Sequence, residues 1–247
     1  MPEAKIDQLT DHMRQRILAG EFGTQGRLPP HRELADQLGT SRESTNKVLQ
    51  HLIAEGLLLS QGRSVYVAPP RVRLPALISH YHRYMQDQGL FPISAFIDIP
   101  CTLAASADLA QQMRVAEGTL VVHRCLKQGI QRGAESMWYR LLENVFPATC
   151  IGETILRAMQ IDPAFDVLQA VREASGKTVA KVENQAIARF PTAVEQQHLD
   201  IVRATPMMEI QRVQYSGDGE VLALSRLCLI GSLFTLSFTV DVADFGS

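Results

Sequence analysis

Between Lys5 and Ala19 the apolar residues Ile6, Leu9, Met13 and Ile17 recur at three- or four-residue intervals with polar residues between them, the spacing of one buried helix face. Gly20, Gly23 and Gly26 then interrupt the pattern. A second short helix is predicted over His31 to Leu38, where Leu34, Ala35 and Leu38 share a face and Gly39 supplies the stop. Thr40 and Ser41 offer a cap for a third helix running to about Glu55, buried through Val48, Leu49, Leu52 and Ile53 and ended by Gly56. Leu57 to Leu59, a turn at Gln61, Gly62 and Arg63, and Val65 to Val67 read as a small β-hairpin.

Helix, helix, tight turn, helix and hairpin is the order of a winged helix-turn-helix, here placed in residues 1–70. Pro69, Pro70 and Pro75 remove backbone donors and restrict their neighbours, so residues 71–76 are read as a linker. From 77 to 247 the period mixes. Helices are expected near Ile78 to Gln88, Ala104 to Met113, around Ile155 and over Pro163 to Ala174. Strands are expected at Ala95 to Ile99, Thr119 to Lys127, Ser136 to Leu142, Thr178 to Arg189, Met207 to Tyr215, Val221 to Ile230 and Phe234 to Val240. The turn Ser216-Gly217-Asp218-Gly219 joins two of them as a hairpin, which favours an antiparallel sheet and an α+β domain.

Composition narrows the function classes. The chain has 247 residues, 46% hydrophobic and 20% charged, and no apolar run reaches the roughly 20 residues of a membrane span, so a cytoplasmic globular protein is expected. Net charge is −2, and residues 1–70 hold 8 Lys/Arg against 8 Asp/Glu, so nucleic-acid binding has to rest on where single basic residues sit. The cysteines Cys101, Cys125, Cys150 and Cys228 form no CxxC pair, and the histidines show no metal-ligand spacing. No cofactor or metal is expected. No GxSxG, HExxH, Walker loop or GxGxxG is present, which leaves an enzyme without a motif to support it.

The run from Leu28-Pro29-Pro30-His31-Arg32-Glu33-Leu34 to Leu38-Gly39-Thr40-Ser41-Arg42, continued by Lys47-Val48-Leu49, Glu55-Gly56-Leu57-Leu58 and Gln61-Gly62, resembles the GntR family of transcription regulators. The resemblance implies a DNA-binding domain that meets its operator through Arg32, Arg42, the position of Asn46, and Gly62. Pro30 stands where the family usually has serine, which removes half of the expected capping box with Glu33. The chemistry of the residues agrees. Arg42 and Asn46 lie one turn apart on the outward face of the third helix, suited to guanine and adenine edges. Arg32 and Lys47 suit phosphates, Ser41 and Ser44 are grouped with them, and Gln61 and Arg63 flank Gly62 as minor-groove probes.

Asp87-Gln88-Gly89 with Pro92, Arg124, Phe146-Pro147, and the run Tyr215-Ser216-Gly217-Asp218-Gly219-Glu220-Val221 leading to Leu224-Ser225-Arg226 resemble the HutC subfamily, whose C-terminal UTRA domain has a chorismate-lyase-like α+β fold. The resemblance implies a small effector held against the sheet. The candidates here are His123 and Arg124 on the second strand, Glu135, Tyr139 and Arg140 on the third, and Ser225 and Arg226 on the later one. Arginines grip carboxylates or phosphates through paired hydrogen bonds. The expected partners are double-stranded operator DNA, a small anionic or polar effector and a second copy of the chain, with repression as the mode the family implies. Two alternatives stay open: a lyase-like enzyme fused to a DNA-binding domain, and a C-terminal domain that only dimerises.

Overall fold

The computed structural model describes residues 3–23, 26–68, 72–74 and 80–236. The first unit is built from α1 (Glu3–Leu18), α2 (His31–Gln37), α3 (Arg42–Ala54) and the antiparallel hairpin of β1 (Leu58–Gln61) and β2 (Ser64–Val67). Ile6, Met13, Ile17, Leu34, Val48, Leu49, Leu52 and Ile53 meet in one core with Leu58 and Val65 of the wing and with Leu28, which precedes α2 and whose amide donates to the Val65 carbonyl. Truncating such a side chain costs about 2–5 kcal/mol, because transfer and cavity terms add. Thr10 is buried among them without an unpaired group, its hydroxyl donating to the Ile6 carbonyl at 2.8 Å. Arg14 ties α1 to the end of α3 with a two-pronged grip on Glu55, at 3.0 and 2.7 Å. As the proline at position 30 implies, α2 begins without a side-chain cap.

Val72–Leu74, inside the stretch read as a linker, forms a short strand β3 that pairs in parallel with β10 (Phe234–Leu236). The four residues between Pro70 and Pro75 keep enough donors for a two-stranded ladder of three. The last residues of the strand expected over Phe234 to Val240 lie outside the described residues.

The second unit is a six-stranded antiparallel sheet in the order β4 (Pro92–Ala104), β5 (Leu120–Arg132), β6 (Glu135–Pro147), β9 (Val221–Ile230), β8 (Met207–Tyr215) and β7 (Lys181–Arg189). The strand expected at Ala95 to Ile99 is far longer, because an edge strand tolerates Pro92 and Pro100 and absorbs two register shifts, at Phe96/Asp98 and Asp98/Cys101. The strand expected to stop at Leu142 also continues, to Pro147.

One face is covered by α4 (Tyr81–Asp87), α6 (Glu153–Ile161) and α7 (Val167–Ser175); Val122, Phe146 and Ala223 from the sheet pack on Ile155, Met159, Val167 and Val171. The other face is covered at one end by α5 (Ala107–Met113), and at the opposite end by α8 (Ala193–Leu199) together with the wing. Leu59 and Tyr66 of the wing share a core with Leu199, Ile201, Leu233 and Phe234, so the two units are packed against each other.

Gly129 is dictated by this geometry. At the irregular step of the β5–β6 ladder a Cβ on residue 129 would collide with the Met137 carbonyl, so only glycine fits.

Candidate functional site

Two surfaces carry candidate chemistry. The first is α3. Ser41 caps it, its Oγ accepting from the Ser44 amide at 3.2 Å, and Ser44 Oγ lies 3.0 Å from the same hydroxyl. Ser44 and Thr45 are buried against the domain, and Ser44 therefore serves the cap instead of facing a ligand. Arg42 and Asn46 are exposed one turn apart, and Lys47 beside them pairs with Glu43 at 2.9 Å. Arg32 is exposed on the first turn of α2. This puts a bidentate donor, an amide and a helix start with free amides on one open face, the equipment for a DNA major groove.

The wing residues divide between solvent and the second unit. Arg63 is exposed, but Gln61 is half-buried and its amide donates to the carbonyls of Trp138, at 3.2 Å, and Leu199, at 3.5 Å. Gly62 takes φ +57° and presses on Asp200.

The second surface is a cavity of about 260 Å³ between the sheet and the α4 and α6–α7 segments. Cross-strand register builds its floor. Arg124 on β5 stands opposite Asn144 on β6, which stands opposite Ser225 on β9, which stands opposite Arg212 on β8. Hydrogen bonds run along that row: Arg124 donates to Asn144 at 3.1 Å, and Asn144 to Ser225 at 2.8 Å. Arg212 donates to Asn184 at 2.8 Å. A second pair sits deeper, where Arg140 Nε donates to Gln128 at 2.8 Å and its guanidinium stacks 4.0 Å from the Tyr81 ring centre.

All three arginines are nearly inaccessible to solvent. Burial pushes the Arg124 and Arg140 guanidinium groups down to about 10, and Arg212 is lowered for the same reason. Arg124 and Arg140 stay charged at neutral pH. Arg124 Nε and Arg140 Nη1 have no hydrogen-bond partner among the described residues. Asp166, which lines the cavity, and Asp162 favour the charge on Arg124, and Asp166 is held by His80 at 2.6 Å. Buried cations with unused donors, beside a single lining carboxylate, Asp166, that His80 already engages, give a cavity chemically suited to an anion.

The cavity gathers Arg124, Arg140 and Ser225 of the residues expected from the sequence, and leaves four outside. His123 and Arg226 point to the opposite face by strand alternation. There His123 meets Glu143 at 2.9 Å, and Arg226 meets Glu209 at 3.1 Å and Glu143 at 3.8 Å. Glu135 sits at the β5–β6 turn, 3.4 Å from Arg27 of the first unit. Tyr139, the unpaired residue of the irregular ladder step, is packed into the core against Phe234.

Sequence reading missed Tyr81, Gln128, Asn144 and Arg212. For Arg212 a signal exists: it shares strand parity with the buried Ile210, so period-two alternation places its charge inward. Asn144 falls beyond the end assigned to its strand.

Glu195, Glu209 and Cys228 bring three potential ligand atoms within 4.8 Å on the opposite face, but they do not suit a metal. Arg189 already occupies both carboxylates, at 2.5 to 2.9 Å, and burial pushes the Cys228 thiol up to about 12. A cation would have to displace a guanidinium and deprotonate a resistant thiol.

Residues 5–67 match the family described as bacterial regulatory proteins, gntR family, and residues 88–235 match the UTRA domain. The chain belongs to the UTRA-bearing GntR regulators. This GntR regulator is 22% identical to the HTH-type transcriptional repressor NagR of Bacillus subtilis, over 95% of this chain and 93% of that one. It is 26% identical to the HTH-type transcriptional repressor PhnF of Mycolicibacterium smegmatis, over 95% and 88%. The crystal structure of PhnF from Mycobacterium smegmatis superposes with a TM-score of 0.63 at 21% identity, covering 95% of this chain and 99% of that one. Both units of the GntR regulator, helix-turn-helix with its hairpin and UTRA sheet, thus recur in one solved chain. Among the described residues no helix is long and apolar enough to cross a membrane.

Proposed function

We propose that this GntR regulator is a homodimeric cytoplasmic repressor that grips operator DNA through α3 and leaves it when a small anion enters the arginine cavity. Residues 1–70 act as the reader, 71–76 as the connector and 77–247 as the sensor and dimerisation unit. The observation that carries the reading is the pair of buried, unpartnered guanidinium nitrogens on Arg124 and Arg140. Desolvating them without a counter-ion is costly, and an anion with at least two oxygens supplies the missing acceptors. Repression follows from the named activity of the relatives NagR and PhnF, which match over nearly the whole chain.

Arg42 reads a base in this account, with Asn46 beside it, while Arg32 and Lys47 hold phosphates. Two copies on a two-fold operator place half-sites about one helical turn apart.

The test starts with operator duplexes selected from a random pool by the purified protein. Wild type binds them and releases them as anions are titrated in. Arg124→Ala keeps operator affinity and loses release; unchanged release removes Arg124 from the site. Arg42→Ala loses roughly 1–3 kcal/mol and relaxes preference at one base position. An equal loss on every sequence makes Arg42 a phosphate contact instead.

A further inference from the structure

The docked wing is the feature that the repressor reading leaves unexplained. Gln61 spends its amide on two backbone carbonyls of the UTRA unit, those of Trp138 and Leu199. Next to it, a Cβ on Gly62 would lie 2.8 Å from a carboxylate oxygen of Asp200, so the wing tip touches an acid that repels phosphates. On the flanks Arg132 donates to the Val67 carbonyl at 3.3 Å and Arg27 pairs with Glu135. Behind the wing, Gly56 closes on Ser232 so tightly that a Cβ there would collide with that side chain. A duplex cannot occupy the space that Trp138, Leu199 and Asp200 fill.

The same contact is one step from the anion cavity. On the β5–β6 ladder Gln128 pairs with Arg140, both lining the cavity, and the next pair is Gly129 with Trp138. Tyr81 spans the two. Its ring lies under the Arg140 guanidinium, and its hydroxyl donates to the Gly129 carbonyl at 2.9 Å. The Trp138 ring stacks on Lys127, whose neighbour Gln128 faces the cavity, so this step of the sheet has the anion site on one side and the wing on the other.

We propose that Gln61 and Gly62 latch the wing onto the UTRA unit in an arrangement that withholds it from DNA, and that an anion held by Arg140 strengthens this latch through the Gly129–Trp138 step. The second half of this inference rests on the repressor reading above; the first half does not. An effector shifts the balance between latched and open arrangements only by its difference in affinity for the two. Operator and effector therefore oppose each other by one common factor.

Trp138 is the chain's single tryptophan, and Gln61, Ser64 and Tyr66 of the wing line the same groove as its ring. Acrylamide quenching of its fluorescence in the full-length protein reads the latch directly. The samples are wild type, Gln61→Ala and Ser232→Phe, the last a wedge against Gly56. Each is measured alone, with the selected operator duplex and with inorganic phosphate as the anion probe. Operator raises the wild-type quenching constant about twofold, and both variants show the raised value without DNA. Ser232→Phe binds operator at least about threefold tighter than wild type and phosphate weaker by the same factor.

Equal quenching in wild type with and without operator, together with operator affinity of a folded Ser232→Phe equal to wild type, overturns the latch. If wild-type quenching responds to operator but phosphate neither binds nor releases DNA, the latch stands and its coupling to phosphate is rejected. Failure of wild type to bind any selected duplex strikes the repressor reading itself.

Discussion

Replacing Arg140 by methionine should make the anion-free protein more stable while abolishing its response to anions. The Arg140 side chain is fully buried, and its guanidinium is pushed down to about 10 by desolvation. A fall of that size corresponds to a charge-burial penalty on the order of 3 kcal/mol. The sign is fixed by linkage: the folded state holds this proton less tightly than the unfolded chain, so the penalty is present in full below pH 10 and is relieved only at higher pH. Methionine fills a similar volume without the charge.

Against the relief stand two losses, the hydrogen bond to Gln128 and the stacking on Tyr81, each about 1 kcal/mol. The net gain is about 1 kcal/mol, or about 2–4 °C in Tm for a chain of this length. Calorimetry in a chloride buffer free of oxyanions measures it, followed by phosphate titration of both proteins. Wild type should gain stability with phosphate and Arg140→Met should not. A Tm below wild type in the absence of anions would refute the reasoning, because it would show that the charge is already compensated in the empty cavity.

Ser41→Ala removes the cap of α3 and should lower stability by about 1 kcal/mol in urea unfolding, with Ser41→Asp restoring most of it. Gly129→Ala cannot keep the irregular β5–β6 step and should cost more than about 3 kcal/mol or abolish soluble expression, while Gly118→Ala, with open space around it and positive φ, should cost only about 1 kcal/mol. Burial raises the Glu195 carboxyl, but the Arg189 guanidinium and the Thr192 amide outweigh it and hold the group at about 2. Its contribution is therefore complete above the ordinary glutamate range and is lost as pH falls from about 5 towards 2. Melting curves across that range should show the loss, and Glu195→Gln should flatten it.

The DNA-binding unit was the more legible half because its signals are local. Ile6, Met13 and Ile17, or Val48, Leu49, Leu52 and Ile53, declare a helix face within one window, and Ser41 and Gly56 bracket α3 with cap and stop. The cavity depends on register between distant strands, which no single window contains. Arg124 and Ser225 were found, yet the row that joins them runs through Asn144 and Arg212, whose places follow only from ladders spanning some 80 residues of chain. Strand parity decides the rest: His123 and Arg226 each lie one residue from a cavity position and so point the other way. Tyr139 escaped because one extra residue in the ladder shifts the parity of β6, and the wing's engagement with Trp138 and Leu199 leaves no pattern in either segment.

The floor of the cavity is a lattice whose spacing belongs to the backbone, with strands about 4.8 Å apart and same-face residues about 6.8 Å apart along each. Asn144, Ser225, Gln214 and Gln128 occupy nodes of that lattice beside the three arginines. In the sensor proposed above, exchanging one node would alter which oxygen, amide or methyl group of a guest is recognised, and the ladder that fixes its neighbours would be untouched. A sensor laid out in this way can change its signal by single substitutions while its architecture and its DNA reader stay as they are.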